Sequence, residues 1–414
     1  MSTSSQAARP VSPAAAAPAP PVISRATAAL VLSLLLGLQP VSTDVYLPAL
    51  PMLTKALGAP MSGAQLTMSA LILAFGLAQM VWGPVADRVG RRPVLLLGLV
   101  LYTAASIGGA LAGSIEALVV WRALQGATLA AAVVVARAVV RDLYDPVAGA
   151  QVMALALGGL GIIALLGPLL GGVLAQVFGW RGPLTLVAMA GGATGIVVAL
   201  KLPETLSRSH ARVLPWRALL STWLEIGRHP VFACWALLVA CTYGGLFTVL
   251  ASSSFVFMDV LGLPAAAYGG AMALGSICYI SGTVLCRRWI ARHGLAGTVW
   301  RGAWFTLSAG LLAAVPAALG ASSVWTVLLP YCLFAFGHGL HQPCGQAAVV
   351  GPFPQAAGAA SALAGLLLAL VAFGMGRWLG GALGDSVEPL AYGLAFWSTL
   401  TCTVAWTLVQ RHAK

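Results

Sequence analysis

Long apolar blocks separated by short polar connections constrain this chain more than any other feature. About 20 consecutive apolar residues form a helix long enough to cross the roughly 30 Å hydrocarbon core of a bilayer. Twelve such blocks occur, approximately at residues 26–48, 64–86, 94–114, 116–137, 151–175, 182–201, 230–257, 265–286, 298–318, 323–347, 358–383 and 388–410. A soluble domain carries about 25% charged residues to cover its core. Here 8% are charged and 60% hydrophobic, so no polar surface could cover such a core in water. The 48 Gly and 24 Pro fit the same reading. In a membrane, Gly permits close helix packing and Pro marks helices that bend around a cavity. The sequence therefore predicts an all-α integral membrane protein with twelve transmembrane helices.

A net charge of +12 would also suit a nucleic-acid binder, so the placement of the 22 Lys and Arg decides. Eighteen fall at alternate connections: Arg9, Arg25, Arg88, Arg91, Arg92, Arg137, Arg141, Lys201, Arg208, Arg212, Arg217, Arg228, Arg287, Arg288, Arg292, Arg301, Arg411 and Lys414. Lys55 and Arg181 fall on the opposite side, and Arg122 and Arg377 inside blocks. Cytoplasmic loops of membrane proteins carry such an excess. The bias places both termini in the cytoplasm and makes the lipid bilayer, not nucleic acid, the partner. The seven cysteines form no CxxC pair and read as small packing residues.

Residues 1–24 begin as an Ala, Pro and Ser-rich stretch without apolar periodicity, expected to be a disordered cytoplasmic tail. The first block is too long for a signal peptide and carries an acid and prolines near its end, so it reads as a retained helix. The longest internal connection, 202–229, divides the spans six and six. It predicts an N-terminal six-helix bundle over 25–201, a cytoplasmic linker, and a C-terminal six-helix bundle over 230–414. A faint repeat agrees: GPVADRVGRRP from Gly83 follows span two, and GTVLCRRWIARHG from Gly282 follows span eight. Two pseudo-symmetric bundles suit a transporter that rocks around a central site.

Asp44 lies 19 residues beyond Arg25, roughly 28 Å along helix one. An acid in a span is costly unless it faces water or a partner, which makes it a functional candidate. Helix four runs the other way, and Arg122, six residues after Glu116, falls roughly 9 Å from the outer boundary, so the two can share a layer. Desolvation favours a protonated carboxyl and a nearby guanidinium an ionised one, a balance suited to proton exchange. In the loop after span two, Gly90 fits a sharp turn. The cluster of Asp87, Arg88, Arg91 and Arg92 can pair with Asp142 or Asp145 and lock an outward-facing state. Gly167, Pro168, Gly171 and Gly172 supply close helix contact and a bend.

The order of these signals resembles the major facilitator superfamily, and within it the Bcr/CflA-type drug efflux transporters, over nearly everything after residue 25. Ser42 to Pro51, STDVYLPALP, is similar to that subgroup's first-helix signature. Gly83 to Arg92 resembles the superfamily's signature loop, with Asp87, Arg88, Gly90, Arg91 and Arg92 in register. Arg122, Gln125 and Gly126 match the fourth-helix motif, and Arg141 with Asp142 the loop after it. Gly167 to Gly172, GPLLGG, resembles the fifth-helix motif associated with antiporters, although Ile163 stands where a glycine is common. Ala357 to Gly365 looks like the subgroup's eleventh-helix start. The resemblance implies the major facilitator fold, a proton-coupled antiporter of the bacterial inner membrane exporting small amphipathic or drug-like molecules, and roles for Asp44, Arg122 and Gln125 in coupling or binding.

His338 and His341 stand three apart on span ten and so share a helix side, where they can carry a proton, contact substrate or simply pack. Tyr243 and Phe247, four apart on span seven, can line a cavity or pack. Arg377 is expected to snorkel or to pair with Asp385 or Glu388. No metal site is expected, because the histidines lack further ligands. There is no GxxxxGK[ST] loop. No cofactor is therefore expected, and a proton gradient is the simplest energy source. No obligate protein partner is visible. The alternative is an importer or metabolite exporter on the same scaffold. Loss of growth on one nutrient in a deletion strain, with drug tolerance unchanged, would favour it. An integral-membrane enzyme would need a cluster of acids, histidines or a nucleophile at one depth, and the ten acids are scattered.

The charge bias predicts that a fluorescent reporter fused after Lys414 folds and glows, and that alkaline phosphatase there is inactive. Phosphatase activity at that position contradicts the topology.

Overall fold

The computed structural model describes residues 23–206, 216–384 and 386–412, and every regular element among them is helical. The N-terminal stretch with Arg9, together with Arg208, Arg212, Asp385 and Lys414, lies outside the described residues. A span-length helix satisfies its own backbone hydrogen bonds, the condition for crossing hydrocarbon. The N-terminal half comprises α1 (Arg25–Asp44), the short α2 (Leu50–Leu57), α3 (Met61–Val89), α4 (Arg91–Ala110), α5 (Ile115–Leu143), α6 (Pro146–Phe178) and α7 (Arg181–Lys201). The connection carries α8 (Trp216–Arg228). The second half comprises α9 (Pro230–Ser254), α10 (Ala265–Ala318), α11 (Val324–Val350), α12 (Ala357–Ala382), α13 (Glu388–Trp406) and α14 (Leu408–His412).

Among the described residues, eleven helical stretches are long and apolar enough to cross a membrane. One of them, α10, runs for 54 residues, and Gly294 (φ 67°, ψ −176°) breaks it. Unbroken it would measure about 80 Å, far more than a bilayer. It is two spans, 265–293 and 295–318, so the described residues make twelve crossings, as the hydropathy blocks predict. The face bearing Arg25 and His412 is called here the terminal face, and the opposite one the distal face. Several helices outrun their apolar blocks: α3 continues to Val89 and α5 to Leu143, because polar residues extend a helix beyond hydrocarbon without cost to its backbone. The linker's α8 was not apparent from hydropathy. It packs on α9 and α12, burying Ile226 and leaving Leu220 and Leu224 exposed.

The halves meet along two seams, α3 against α12 and α6 against α10. In the distal half of the molecule one apolar core runs through both bundles, joining Tyr46, Leu50 and Met68 to Phe247, Phe255 and Tyr331. Towards the terminal face the core divides, one part confined to the first bundle and one to the second. The distal face is thus sealed. Lipid is as apolar as leucine, so such a seal depends on close packing and polar contacts. The Gln65 amide donates to the Ala251 carbonyl across the halves, and Lys55 Nζ meets Asp259 Oδ1 at 2.6 Å.

The Lys55 and Asp259 side chains remain 74% and 32% exposed. Such a pair is worth at most about 1 kcal/mol, or roughly fivefold in an open-to-closed ratio. Asp259→Lys should therefore speed labelling of a cysteine placed at Leu250 by an impermeant maleimide from the distal side, by up to about fivefold. An unchanged rate would mean that this pair is no part of the seal.

Candidate functional site

Between the seams, beneath the distal seal, lies a cavity of about 340 Å³, within the range of small-molecule sites. Its distal end is formed by Thr43, Asp44, Tyr243 and Tyr331, and its middle by Tyr279 and His338. Towards the terminal face it reaches Gln79, Arg137, Gln346 and Ser361. Among the described residues, Asp44 is the only carboxylate in this lining.

Asp44 occupies the last position of α1, where the helix gives way to a 3-10 turn at Leu47–Ala49 with Pro48 in it. The break leaves the carboxylate half-buried on the cavity wall, accepting a hydrogen bond from Thr43 Oγ1 at 2.7 Å. Gly167 and Gly171 of α6 let that helix run against the break: a Cβ at Gly171 would collide with the Val45 carbonyl. Gly172 allows the same helix to press on Ala265 of α10, and Gly269 faces the carbonyl of Pro168. The GPLLGG segment is therefore a wedge between helix one and the opposite half. Where a glycine is common, the Ile163 side chain fills the space over Gly37.

Arg122 shares the layer of Asp44, as its depth predicted, but makes no ion pair with it. The guanidinium is 1% exposed and donates to Gln125 Oε1 (2.6 Å) and the Ser42 carbonyl (2.8 Å). It also lies over the Tyr46 ring at 4.2 Å. Gln125 passes the network to Ser106, and Ser42 to the Tyr102 hydroxyl. Arg122 and Gln125 thus stand behind the cavity wall and fix the carbonyl two residues before Asp44. No carboxylate is paired with this buried cation among the described residues, so hydrogen bonds and the ring face hold it.

Three of the six proposed coupling or substrate residues line the cavity: Asp44, Tyr243 and His338. The other three, Arg122, Gln125 and His341, do not. His338 Nδ1 meets Thr242 Oγ1 at 3.0 Å, with its ring between Tyr279 and Phe334. Three residues make less than a full helical turn, and His341 is rotated into the second bundle, fully buried against Thr306 Oγ1 at 3.1 Å. Phe247 belongs to the distal core, not the cavity. Arg377 is exposed and forms no ion pair with Glu388.

Sequence reasoning missed Gln79, Ser361, Tyr279 and Tyr331, all polar or amphipathic residues inside apolar spans. Arg137 was counted as a connection charge, but it lies within α5 and faces the cavity.

At the terminal face of the first bundle, Arg91 is 3% exposed and lies between Asp87 Oδ1 (2.6 Å) and Asp142 Oδ2 (2.9 Å). Asp145 instead accepts from the Ala148 amide at the start of α6. Glu204, not singled out by its surroundings in the sequence, accepts from the Arg91 and Arg92 amides at 2.9 and 3.1 Å, capping α4. Arg92 also reaches the Ala199 carbonyl. Gly83 packs opposite Val134, and Arg88 and Arg141 are exposed. Arg91, Asp87 and Asp142 all belong to the first bundle, and they hold together while the distal face is sealed.

The profile of the Major Facilitator Superfamily matches residues 32–376. The chain belongs to that superfamily. Multidrug resistance protein D of Escherichia coli (strain K12) is 31% identical over 337 residues, covering 81% of this chain and 84% of that one. The bicyclomycin resistance protein homolog of Haemophilus influenzae is 23% identical, over 93% of this facilitator and 96% of its own length. Both bear out the resemblance to Bcr/CflA-type efflux transporters. Among solved structures, the D-xylose-proton symporter superposes with a TM-score of 0.73 at 15% identity, covering 92% of this facilitator and 96% of that chain, which speaks for the fold.

Gly90, at φ 116°, turns the chain between α3 and α4, and a Cβ there would lie 2.7 Å from the Glu204 carboxylate. Gly90→Val should insert normally yet slow transport at least severalfold, because it strains the turn by about 1–3 kcal/mol and displaces the cap. Transport at the normal rate would show that the loop has no part in the cycle.

Proposed function

We propose that this facilitator is a proton-coupled antiporter exporting small amphipathic, drug-like molecules across the bacterial inner membrane by alternating access. The observation that carries the reading is Asp44: the single carboxylate of the cavity lining, just beneath the distal seal, with no Lys or Arg ion-paired to it among the described residues. A carboxylate locked to an arginine would be held ionised. One that is hydrogen-bonded only by a neighbouring hydroxyl can gain and lose a proton as its surroundings change.

The terminal face is cytoplasmic in this reading, in keeping with the charge bias, so the sealed distal face is periplasmic. Substrate enters from the cytoplasmic side among Tyr279, Tyr331 and Tyr243, whose rings offer apolar faces with polar edges. When the bundles rock and the distal seal opens, Asp44 meets the periplasm, takes a proton and releases its hold on substrate. On return it gives the proton to the cytoplasm. The Asp87, Arg91 and Asp142 network serves as the cytoplasmic latch, holding its loop in shape until the second bundle closes on it. The drug-resistance relatives support the substrate class, as members of the same subgroup.

Asp44→Asn retains size and polarity without the titrating proton. Adding a transported drug to the purified wild type should release protons, and the variant should release none while still exchanging substrate downhill. Equal release from both would assign the coupling to another group, with His338 first because it lines the same cavity.

A further inference from the structure

The terminal end of the cavity holds an unused cation. Arg137 of α5 donates from Nη1 to Ser361 Oγ of α12 at 2.7 Å, a hydrogen bond that crosses between the two bundles. No carboxylate lies within ion-pair distance of it among the described residues. Beside it is Gln79 of α3, which is 5% exposed, lines the cavity and makes no hydrogen bond among the described residues. Its amide nitrogen lies close to Gly365, where a side chain would press on it. Gln342 lines the same cavity, and its Oε1 is buried without a partner. Arg137 is itself exposed and Gln342 Oε1 is an acceptor, so what marks a place for an anionic guest is the open guanidinium at the cavity wall with the Gln79 amide among the same lining residues.

Arg137 lies 15 residues beyond Arg122 on α5, about 22 Å along the helix. Arg122 holds the carbonyl of Ser42, two residues from Asp44, so Asp44 and Arg137 sit at opposite ends of the cavity, too far apart to neutralise one another. No carboxylate among the described residues answers Arg137, which leaves its exposed guanidinium to water or to a ligand.

We infer that Arg137, Gln79 and Ser361 form an anion subsite that takes the carboxylate of an amphipathic acid, so that the transporter favours acidic or zwitterionic substrates whose apolar part lies among the tyrosines. The guanidinium offers a fork that matches a carboxylate, the Gln79 amide a further donor, and the Ser361 hydroxyl another. A carboxylate bound here competes for the guanidinium with Ser361, the hydrogen bond that ties the bundles together at this end. This deepens the transport reading, since it rests on the cavity being the route of the substrate. It also has an electrical consequence. An anion leaving while a proton enters moves net positive charge inward, so the membrane potential adds to the pH gradient in driving export.

The test uses three probes of one shape: phenylbutyrate, its neutral amide and phenylbutylamine, titrated calorimetrically into the full-length protein in lipid nanodiscs. The acid should bind at least about tenfold more tightly than the amide, the usual weight of a charge-assisted pair. Arg137→Gln should abolish that preference by weakening the acid at least about tenfold more than the amide, whereas Arg137→Lys should retain part of it and Ser361→Ala most of it. Gln79→Leu, which leaves the cation in place, should lower the acid-to-amide ratio severalfold and serves where Arg137→Gln does not fold. Equal binding of acid and amide by the wild type, or equal weakening of both by Arg137→Gln, overturns the subsite and leaves the transport reading standing. Failure of all three probes to bind overturns the subsite and the cavity as substrate route together.

Discussion

A peptide group carried into hydrocarbon without a hydrogen-bond partner costs several kcal/mol, and this cost shapes every level of the molecule. It makes the chain helical throughout its spans, and it restricts breaks to places where protein or a cavity covers them. The break after Asp44 is such a place, enclosed by α6 and opening on the cavity. The other conspicuous irregularity, the π-helical turn Phe255–Val260, lies at the distal face and carries Asp259 of the cross-bundle ion pair.

The same cost sorts the charges. Arg122 survives in the interior by donating to a glutamine and a carbonyl and by lying over Tyr46, and in doing so it fixes the end of helix one. Arg91 survives between two carboxylates. Asp44 and Arg137 differ in kind, because neither is ion-paired among the described residues and both face the cavity. The charges that stabilise the structure are thus separated from those left open to the cavity. The glycines of α6 join the two roles, since the contact they allow with Val45 and Ala265 places the break that carries Asp44 directly on the seam between bundles.

Much of this was legible in the residues. Hydropathy located twelve spans because each block has to match the bilayer, and it located Asp44 because an acid in such a block stands out. The special conformation of Gly90 followed from a loop too short to turn otherwise. Other features were not legible, for physical reasons. Depth placed Arg122 and Asp44 in one layer, but depth says nothing of rotation about the helix, which sends Arg122 to Ser42 and Gln125. The same uncertainty divides His338 from His341. Arg137 looked like a loop charge because hydropathy ends a block at the first arginine, while the helix itself runs to Leu143. Glu204 caps α4 from 112 and 113 residues away in sequence, and α8 is too amphipathic for a hydropathy window to register.

In the proposed cycle the distal seal and the terminal opening are two ends of one motion governed by protonation. Spin labels at Ala56 and Ala267 report the distal separation of the bundles, and labels at Lys201 and Arg292 the terminal one. Electron–electron resonance distances for both pairs, measured in nanodiscs across a range of pH, should change in opposite senses, and Asp44→Asn should remove the pH dependence from both. Distances that stay fixed, or that change together at both faces, would contradict the claim.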